Sequence, residues 1–174
     1  MRRVLTNFIS GIALIASVGA ASAQATVRDD CASPQKQPLV DGCKLLDEFI
    51  GAFNKADPVT FASTNNYPHI RITGPKVVIW NTAEDYIRDN PKESMIAKDT
   101  DTKFKGWKTS KWDWRRLIQY SDTTMHFTVA FSRLDGAGKT LATFESFYII
   151  TKKDGRWGIQ ARSSFAGIAN GGAY

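Results

Sequence analysis

The sequence holds two histidines, His69 and His126, and these are the first side chains to consider for proton transfer. A neutral imidazole can accept or donate a proton near pH 7, which suits isomerisation or elimination without a cofactor. His69 follows Tyr67-Pro68 and opens an alternating segment that is typical of a β-strand. We expect His69 either to line a pocket and act on a ligand, or to pack as a hydrogen-bonded residue at a strand end.

His126 lies in another strand-like segment, where alternation places it on one face with Thr128, Ala130 and Ser132. The opposite face carries the bulkier apolar residues. We therefore expect the His126 face to meet solvent or a second subunit, with a ligand contact as the alternative.

Two carboxylates within β-rich segments are further candidates. Asp113 stands between Trp112 and Trp114, and desolvation by indole rings would raise its pKa and make it a better base at neutral pH. Strict alternation places both tryptophans opposite Asp113, so a surface aspartate paired with Arg115 is the alternative. Glu145 lies within an apolar run, where it either lines a pocket or faces solvent.

A polar cluster is expected near the end of the chain. The Asp154-Gly155 turn predicts an antiparallel pairing in which Tyr148 faces Gln160, close to Arg162. These three side chains could bind an oxyanion or a phenolate, and a shift of one residue would bring Glu145 into their company instead. A purely structural hydrogen-bond network is the alternative.

The aromatic residues suggest what such a pocket would bind. The chain has five Trp, five Tyr and ten Phe, of which most must form the core. A few that line a pocket would favour a hydrophobic, and in particular an aromatic, ligand. Together the candidate residues are His69, Asp113 and Arg162 for catalysis, and Tyr67, Trp80, Tyr86, His126, Glu145, Tyr148 and Gln160 for substrate binding.

Other kinds of site are disfavoured by the sequence. It contains no His-x-x-x-His pair or carboxylate cluster at metal-ligand spacing, no Gly-x-Gly-x-x-Gly or Walker loop, and no Gly-x-Ser-x-Gly. We therefore expect neither a metal nor a nucleotide cofactor. Residues 98–111 contain five lysines, and we interpret them as a solvated loop near a pocket rim rather than as a nucleic-acid surface.

Residues 1–23 have the layout of a secretory signal peptide. A basic start is followed by an uncharged apolar run and by Ala21-Ser22-Ala23, a small-x-small cleavage pattern. An uncleaved anchor is the alternative. Cleavage would remove two arginines and lower the formal net charge from +6 to +4. We expect a periplasmic or secreted protein of bacterial type, with no stable membrane anchor.

The remaining chain is expected to form one domain. Residues 24–43 are predicted to be an extended arm, and in an oxidising compartment Cys31 and Cys43 favour a disulfide that joins this arm to the first helix. Free thiols or a redox role are the alternatives. Residues 44–166 are predicted to be the folded domain, and residues 167–174 a flexible tail.

The order of elements predicts an α+β fold. Apolar spacing indicates a helix that begins at Asp41 or Asp47, a short helix beginning at Pro58, and a third beginning at Thr82. A strand pair precedes the third helix, and four long β-rich runs with hairpin turns follow it. Such segregation favours helices packed against one face of an antiparallel sheet.

The sequence resembles the nuclear-transport-factor-2-like (NTF2-like, or SnoaL-like) superfamily. The resemblance covers about residues 44–166 and rests on the segments 53–57 (Phe-Asn-Lys-Ala-Asp), 67–72 (Tyr-Pro-His-Ile-Arg-Ile) and 153–159 (Lys-Asp-Gly-Arg-Trp-Gly-Ile), and on Trp80. It implies a cone-shaped α+β fold, in which three N-terminal helices pack on a curved antiparallel sheet and enclose a deep pocket.

The superfamily includes cofactor-free enzymes, such as ketosteroid isomerase and scytalone dehydratase, as well as binding and dimerisation domains. The resemblance therefore leaves two functions open. One is a lyase, dehydratase or isomerase that acts by general acid-base chemistry on a hydrophobic, oxygenated substrate, aromatic compounds included. The other is a non-catalytic ligand-binding or dimerisation module. Members of the superfamily commonly form dimers, so the resemblance also implies a homodimer formed through the open face of the sheet.

Overall fold

The computed structural model describes residues 27–95 and 105–166. The predicted signal peptide at 1–23 and the predicted tail at 167–174 lie outside these residues. The described elements follow in this order: α1 (Leu39–Asn54), α2 (Pro58–Ser63), β1 (Asn65–Thr73), β2 (Lys76–Trp80), α3 (Ala83–Asp89), α4 (Lys92–Met95), β3 (Trp107–Tyr120), β4 (Thr124–Asp135), β5 (Thr140–Lys153) and β6 (Arg156–Ser164).

The six strands form a single sheet in the order β2-β1-β6-β5-β4-β3. Helices pack on one side of it, which we call the inner face; the other side is the outer face. The expected α+β class is confirmed, with two corrections. The described residues form four helices rather than three, and the sheet is mixed rather than antiparallel, because β1 and β6 run parallel. Within the described residues, no helix is long and apolar enough to cross a bilayer.

Helix α1 forms because its apolar residues recur along one stripe. Leu45, Leu46, Phe49 and Ala52 are all buried on the inner face of the sheet. The helix begins at Leu39, earlier than predicted, so the extended arm is shorter than expected. Pro38 at the N-cap makes no side-chain capping bond, and tertiary packing of the first turn replaces it.

Caps and turns are where the sequence prediction is accurate. Asp57 accepts hydrogen bonds from the backbone N–H groups of Val59 and Thr60 and so starts α2 at Pro58. Thr82 caps α3 by accepting from the backbone of Asp85. These contacts satisfy N–H groups that the first helical turn would otherwise leave without partners.

Strand β1 is longer than predicted. It starts at Asn65, whereas the sequence pattern places its start at His69. Pro68 has no N–H to donate, and the pairing of β1 with β6 is irregular between Asn65 and Ile70, so no ladder bond is lost there.

The N-terminal segment is attached to the domain at two points. The expected disulfide between Cys31 and Cys43 is confirmed and joins the segment to α1. Close by, the buried Arg115 donates to Asp29 at 3.1 Å and to Asp47 at 2.5 Å. The predicted surface pairing of Arg115 with Asp113 is therefore wrong, because Arg115 points inward to these two carboxylates.

Two β-bulges decide which side chains face inward. Trp112 pairs with Phe131 and Trp114 pairs with Ala130, so Asp113 is the extra residue between them. The prediction that both tryptophans share one face is therefore wrong. A second bulge lies in β6, where Ile159 pairs with Ile150 and Ala161 with Ile149. Here Gln160 is the extra residue.

The second bulge also corrects the predicted register. Between the Asp154-Gly155 turn and the bulge, β5 and β6 pair one residue away from the predicted alignment. Beyond the bulge, they pair two residues away from it. As a result Tyr148 faces Arg162 rather than Gln160. The bulge turns Arg162 to the inner face, while Glu145 stays on the outer face opposite Ala130.

Two glycines of α1 provide a matched test of this packing. A Cβ on Gly42 would lie 2.9 Å from Met125 Sδ and 2.9 Å from Phe127 Cε2, whereas one on Gly51 would meet nothing within 4 Å. We expect Gly42→Ala to lower the free energy of unfolding by about 1–2 kcal/mol through overpacking. Gly51→Ala should raise it by about 0.5–1 kcal/mol through helix propensity. Denaturant unfolding with the disulfide intact measures both, and a stabilising effect at Gly42 would contradict the packing described.

Candidate functional site

A cavity of about 190 Å³ lies between the helices and the inner face of the sheet. Aromatic rings from both layers form its walls: Phe49 and Phe53 of α1, Phe61 of α2, Trp112 of β3 and Phe131 of β4. The volume is similar to that of a protein cavity of about 150 Å³ that binds benzene. The cavity can therefore hold one ring with small substituents.

Two arginines from neighbouring strands enter this cavity side by side. Arg71 of β1 and Arg162 of β6 are direct partners in the parallel ladder, and Tyr148 of β5 is the antiparallel partner of Arg162. All three line the cavity. The three side chains thus form one row across three adjacent strands, which we call the Arg71–Arg162–Tyr148 row.

The row is strongly cationic. The charge of Arg162, together with burial, lowers the pKa of Arg71 to about 10. Burial raises the pKa of the Tyr148 hydroxyl, which therefore remains a neutral donor at physiological pH. The Nε of Arg162 is buried and finds no hydrogen-bond partner within the part of the chain that the structure describes. An anionic ligand would supply the missing acceptors.

No aspartate or glutamate is present among the described residues that line the cavity. A third arginine, Arg133 of β4, lines it as well. Its guanidinium carbon lies 4.6 Å from the centre of the Trp107 ring, as in a cation–π contact. Positive charge surrounded by aromatic rings is an arrangement that favours a hydrophobic anion.

His69 lies behind this row, fully buried and outside the cavity lining. Its Nδ1 is 2.9 Å from the carbonyl oxygen of Ile159, which can only accept, so Nδ1 carries the hydrogen and Nε2 carries a lone pair. Burial, followed by the charge of Arg162, lowers the pKa of His69 to about 3. The imidazole is therefore neutral at physiological pH.

Three predicted substrate-binding residues pack around His69 instead of lining the cavity. Its ring stacks on Trp80 at 5.8 Å and meets Tyr86 edge-on at 5.5 Å. Tyr86 is buried, and residues 27–95 and 105–166 offer its hydroxyl no hydrogen-bond partner. The Tyr67 hydroxyl donates to the backbone of Ala62, and burial raises its pKa to about 12. These aromatic residues pack with His69 and with one another next to the arginines, outside the cavity lining.

Four other predicted site residues do not reach the cavity. Asp113 accepts from Ser132 Oγ at 2.5 Å on the outer face. His126 lies on the same face, as expected for that strand, and its Nδ1 is 2.7 Å from Gln119 Nε2. Glu145 also faces outward, opposite Ala130.

Gln160 stays at the bulge. Its side chain donates to the backbone of Pro68 and accepts from Thr151 Oγ1. Of the ten candidates, Arg162 and Tyr148 are therefore the two that line the cavity, and the three proposed catalytic residues do not converge there.

Sequence reasoning missed Arg71 and Arg133, and although it expected aromatic residues in the pocket it did not name those that form the walls. A signal for Arg71 was present, because alternation places it on the same face as His69. The neighbouring isoleucines obscured it, since Ile70 and Ile72 suggest the buried face. In the structure they point outward, and Ile72 is 40% exposed.

This architecture, helices over a mixed sheet that encloses a pocket, defines an NTF2-like protein. It is similar to an NTF2-like protein of unknown function from Shewanella oneidensis, with 19% identity over 73% of this chain and 98% of that one and a TM-score of 0.54. It is also similar to a candidate ketosteroid isomerase from Shewanella frigidimarina, with 14% identity over 70% and 92% of the two chains and a TM-score of 0.53.

A third similar structure is a candidate calcium/calmodulin-dependent protein kinase II association domain from Xanthomonas campestris. It has 18% identity over 79% of this chain and 93% of that one, with a TM-score of 0.52. Such likenesses show the fold alone. No curated protein matches the sequence. A family model matches residues 43–164, and the chain belongs to that family, NTF2-like protein (DUF6841).

The buried, neutral His69 makes stability depend on pH. Its pKa in the folded protein, about 3, lies below the ordinary value of 6.5. Between these values the unfolded chain binds more protons, so the contribution to stability is full above pH 6.5 and is lost as the pH falls. Relative to His69→Gln, the wild-type protein should lose about 2 kcal/mol of unfolding free energy between pH 6.5 and about pH 4.5.

Chemical denaturation of both proteins across this range measures the difference. Parallel profiles for wild type and His69→Gln would contradict the assigned environment of His69.

Proposed function

We propose that this protein binds a small, ring-sized organic anion in the inner cavity. The observation that carries the proposal is the Arg71–Arg162–Tyr148 row inside an aromatic cavity whose described lining contains no acid. Two guanidinium groups and a phenol present donors to the same space, and a carboxylate accepts several such hydrogen bonds at once. The aromatic walls would stack on the ring of the ligand.

Binding is favoured over general acid-base catalysis by the placement of the candidate groups. Catalysis needs a group within hydrogen-bond reach of the proton that moves. Among the described residues, the cavity lining offers the Tyr148 hydroxyl but neither a carboxylate nor an imidazole. The donors of the row could also stabilise negative charge that develops on a bound oxygen, as a lyase or isomerase would require.

We further propose that the protein acts outside the cytoplasm. The Cys31–Cys43 disulfide supports this, because such bonds persist mainly in oxidising compartments.

Titration of the purified protein with benzoate tests the binding proposal. Replacement of Arg162 by Met keeps the apolar stem of the side chain and removes its charge, and should weaken benzoate binding at least about tenfold, since hydrogen bonds to charged groups contribute about 1.5–3 kcal/mol. Isothermal titration calorimetry gives the dissociation constants.

Arg116→Met is the matched control, because Arg116 is exposed and does not line the cavity. This variant should bind benzoate like the wild type. Benzyl alcohol has the same ring without the charge and should bind much more weakly. Equal affinity for benzyl alcohol and benzoate would contradict an anion site.

A second function, self-association, is favoured by the outer face of the sheet. Neighbouring strands present a patch of apolar side chains there, and its exposed members include Ile72, Val77 at 58%, Ile79 at 56% and Phe147 at 36% exposure. We propose that a second copy of the chain covers this patch. These members carry no charge, so two copies of a chain with a formal net charge of +6 can meet through them without direct like-charge contact.

Substitution of Phe147 by Glu, or of Ile79 by Asp, should convert the dimer to a monomer, because each would bury an unpaired charge in the interface. Light scattering coupled to size-exclusion chromatography measures the mass. Val59→Asp is the control, since Val59 is an exposed apolar residue on α2, and it should leave the mass unchanged. A monomeric wild-type protein would contradict the proposal.

A further inference from the structure

The cavity has a second polar end, formed by Ser110 of β3 and Arg133 of β4. These residues are direct partners in the antiparallel ladder, and both line the cavity. The Ser110 hydroxyl is buried and has no hydrogen-bond partner among the described residues. The backbone of Ser110 is fixed from the helix side, because its N–H donates to Asn54 Oδ1 at 2.8 Å and its carbonyl accepts from Asn54 Nδ2 at 2.8 Å.

A row of three rings, two from the helices and one from the start of β3, lies between this end and Arg162. The guanidinium carbon of Arg162 lies 5.9 Å from the centre of Phe61, and that of Arg133 lies 4.6 Å from the centre of Trp107. Phe53 stands between these two rings, 5.5 Å from Phe61 and 5.3 Å from Trp107.

A second row of rings connects the same two ends along the sheet. The centre of the Trp112 ring lies 6.1 Å from the centre of the Tyr148 ring and 6.1 Å from that of the Phe131 ring. Phe131 lies 5.5 Å from Phe144, over which Arg133 is placed at 5.4 Å. The cavity is therefore a slot between two aromatic walls with positive charge at each end.

The strand register agrees with this separation. Arg71, Arg162 and Tyr148 lie at one level of the sheet together with Phe127, whereas Arg133 lies six residues further along β4. Arg71 and Arg162 thus form one cationic end, and Arg133 belongs to the other.

We propose that the ligand is a ring-sized organic dianion whose two charged groups lie on opposite sides of the ring. This inference rests on the proposed anion-binding function and names its ligand class. One anionic group binds the Arg71–Arg162–Tyr148 row, and the other binds Arg133 and Ser110. The ring fills the slot between the aromatic walls, whose volume suits a single ring.

Three benzene carboxylates distinguish this arrangement from simple charge attraction. Terephthalate carries carboxylates at opposite ends of the ring, phthalate carries them side by side, and benzoate carries one. We expect the wild-type protein to bind terephthalate about tenfold more tightly than either benzoate or phthalate, as one additional charge-assisted contact would produce.

Variants at the second end should change this preference. In Arg133→Met the ratio of terephthalate to benzoate affinity should fall toward one, and in Ser110→Ala it should fall about threefold. Arg116→Met on the protein surface should keep the wild-type ratio. Thermal unfolding by circular dichroism checks that each variant is folded. If Arg133→Met does not fold, Ser110→Ala provides a second test. This substitution removes no hydrogen bond to a described residue and should leave the fold intact.

The outcomes separate this inference from the function on which it rests. Equal binding of terephthalate and benzoate, or of terephthalate and phthalate, would overturn the dianion while leaving the anion site intact. An unchanged affinity ratio in both Arg133→Met and Ser110→Ala would also overturn it. Failure of the wild-type protein to bind any of the three carboxylates would instead overturn the proposed function itself.

Discussion

The β-bulge at Gln160 is the constraint on which the site depends. Side chains alternate along a strand, so a single extra residue in β6 reverses the faces of everything that follows it. Without the bulge, Arg162 would point to the outer face of the sheet. With it, Arg162 lies opposite both Arg71 and Tyr148 on the inner face.

The side chain of Gln160 bonds to Pro68 and Thr151 and so joins the bulge to both neighbouring strands. The pairing of β1 with β6 is irregular at the same level. One local irregularity, shared by three strands, therefore determines the chemistry of the cavity.

The cationic row carries an energetic cost that the rest of the cavity reduces only in part. Two guanidinium groups on adjacent strands repel each other, and the lowered pKa of Arg71 reports that repulsion. The face of Phe49, 5.3 Å from the guanidinium carbon of Arg162, offsets some of it through cation–π attraction. A bound anion can relieve the remaining repulsion between the two arginines, because the guanidinium groups are already in position before the ligand binds.

The sequence predicted local features well because they depend on neighbouring residues. Asp57 and Thr82 cap their helices, and the Cys31–Cys43 disulfide follows from spacing and from the expected compartment. It did not predict which face each strand residue occupies. Nothing in the residues around Asp113 or Gln160 reveals a bulge, and each bulge reverses the alternation on which the assignment relied.

Hydrophobicity also misled the assignment of faces at the sheet edge. Strand β1 turns Ile70 and Ile72 outward and its polar His69 and Arg71 inward. Tyr86 of α3 meets the His69 ring edge-on, and Phe61 of α2 packs on Tyr86 in turn, so the inward placement of His69 depends on tertiary contacts. The sequence therefore identified Arg162 and Tyr148 as site residues. Their partner Arg71 could be identified only from the three-dimensional fold.

The disulfide has an electrostatic consequence that goes beyond loop closure. Asp29 precedes Cys31 by two residues, and Asp47 follows Cys43 by one helical turn, so the covalent bond keeps both carboxylates at a high effective concentration around Arg115. Arg115 is buried, and a buried guanidinium without counter-ions is costly. Reduction of the disulfide would therefore loosen the hold on Asp29 and leave the buried Arg115 with less compensation of its charge.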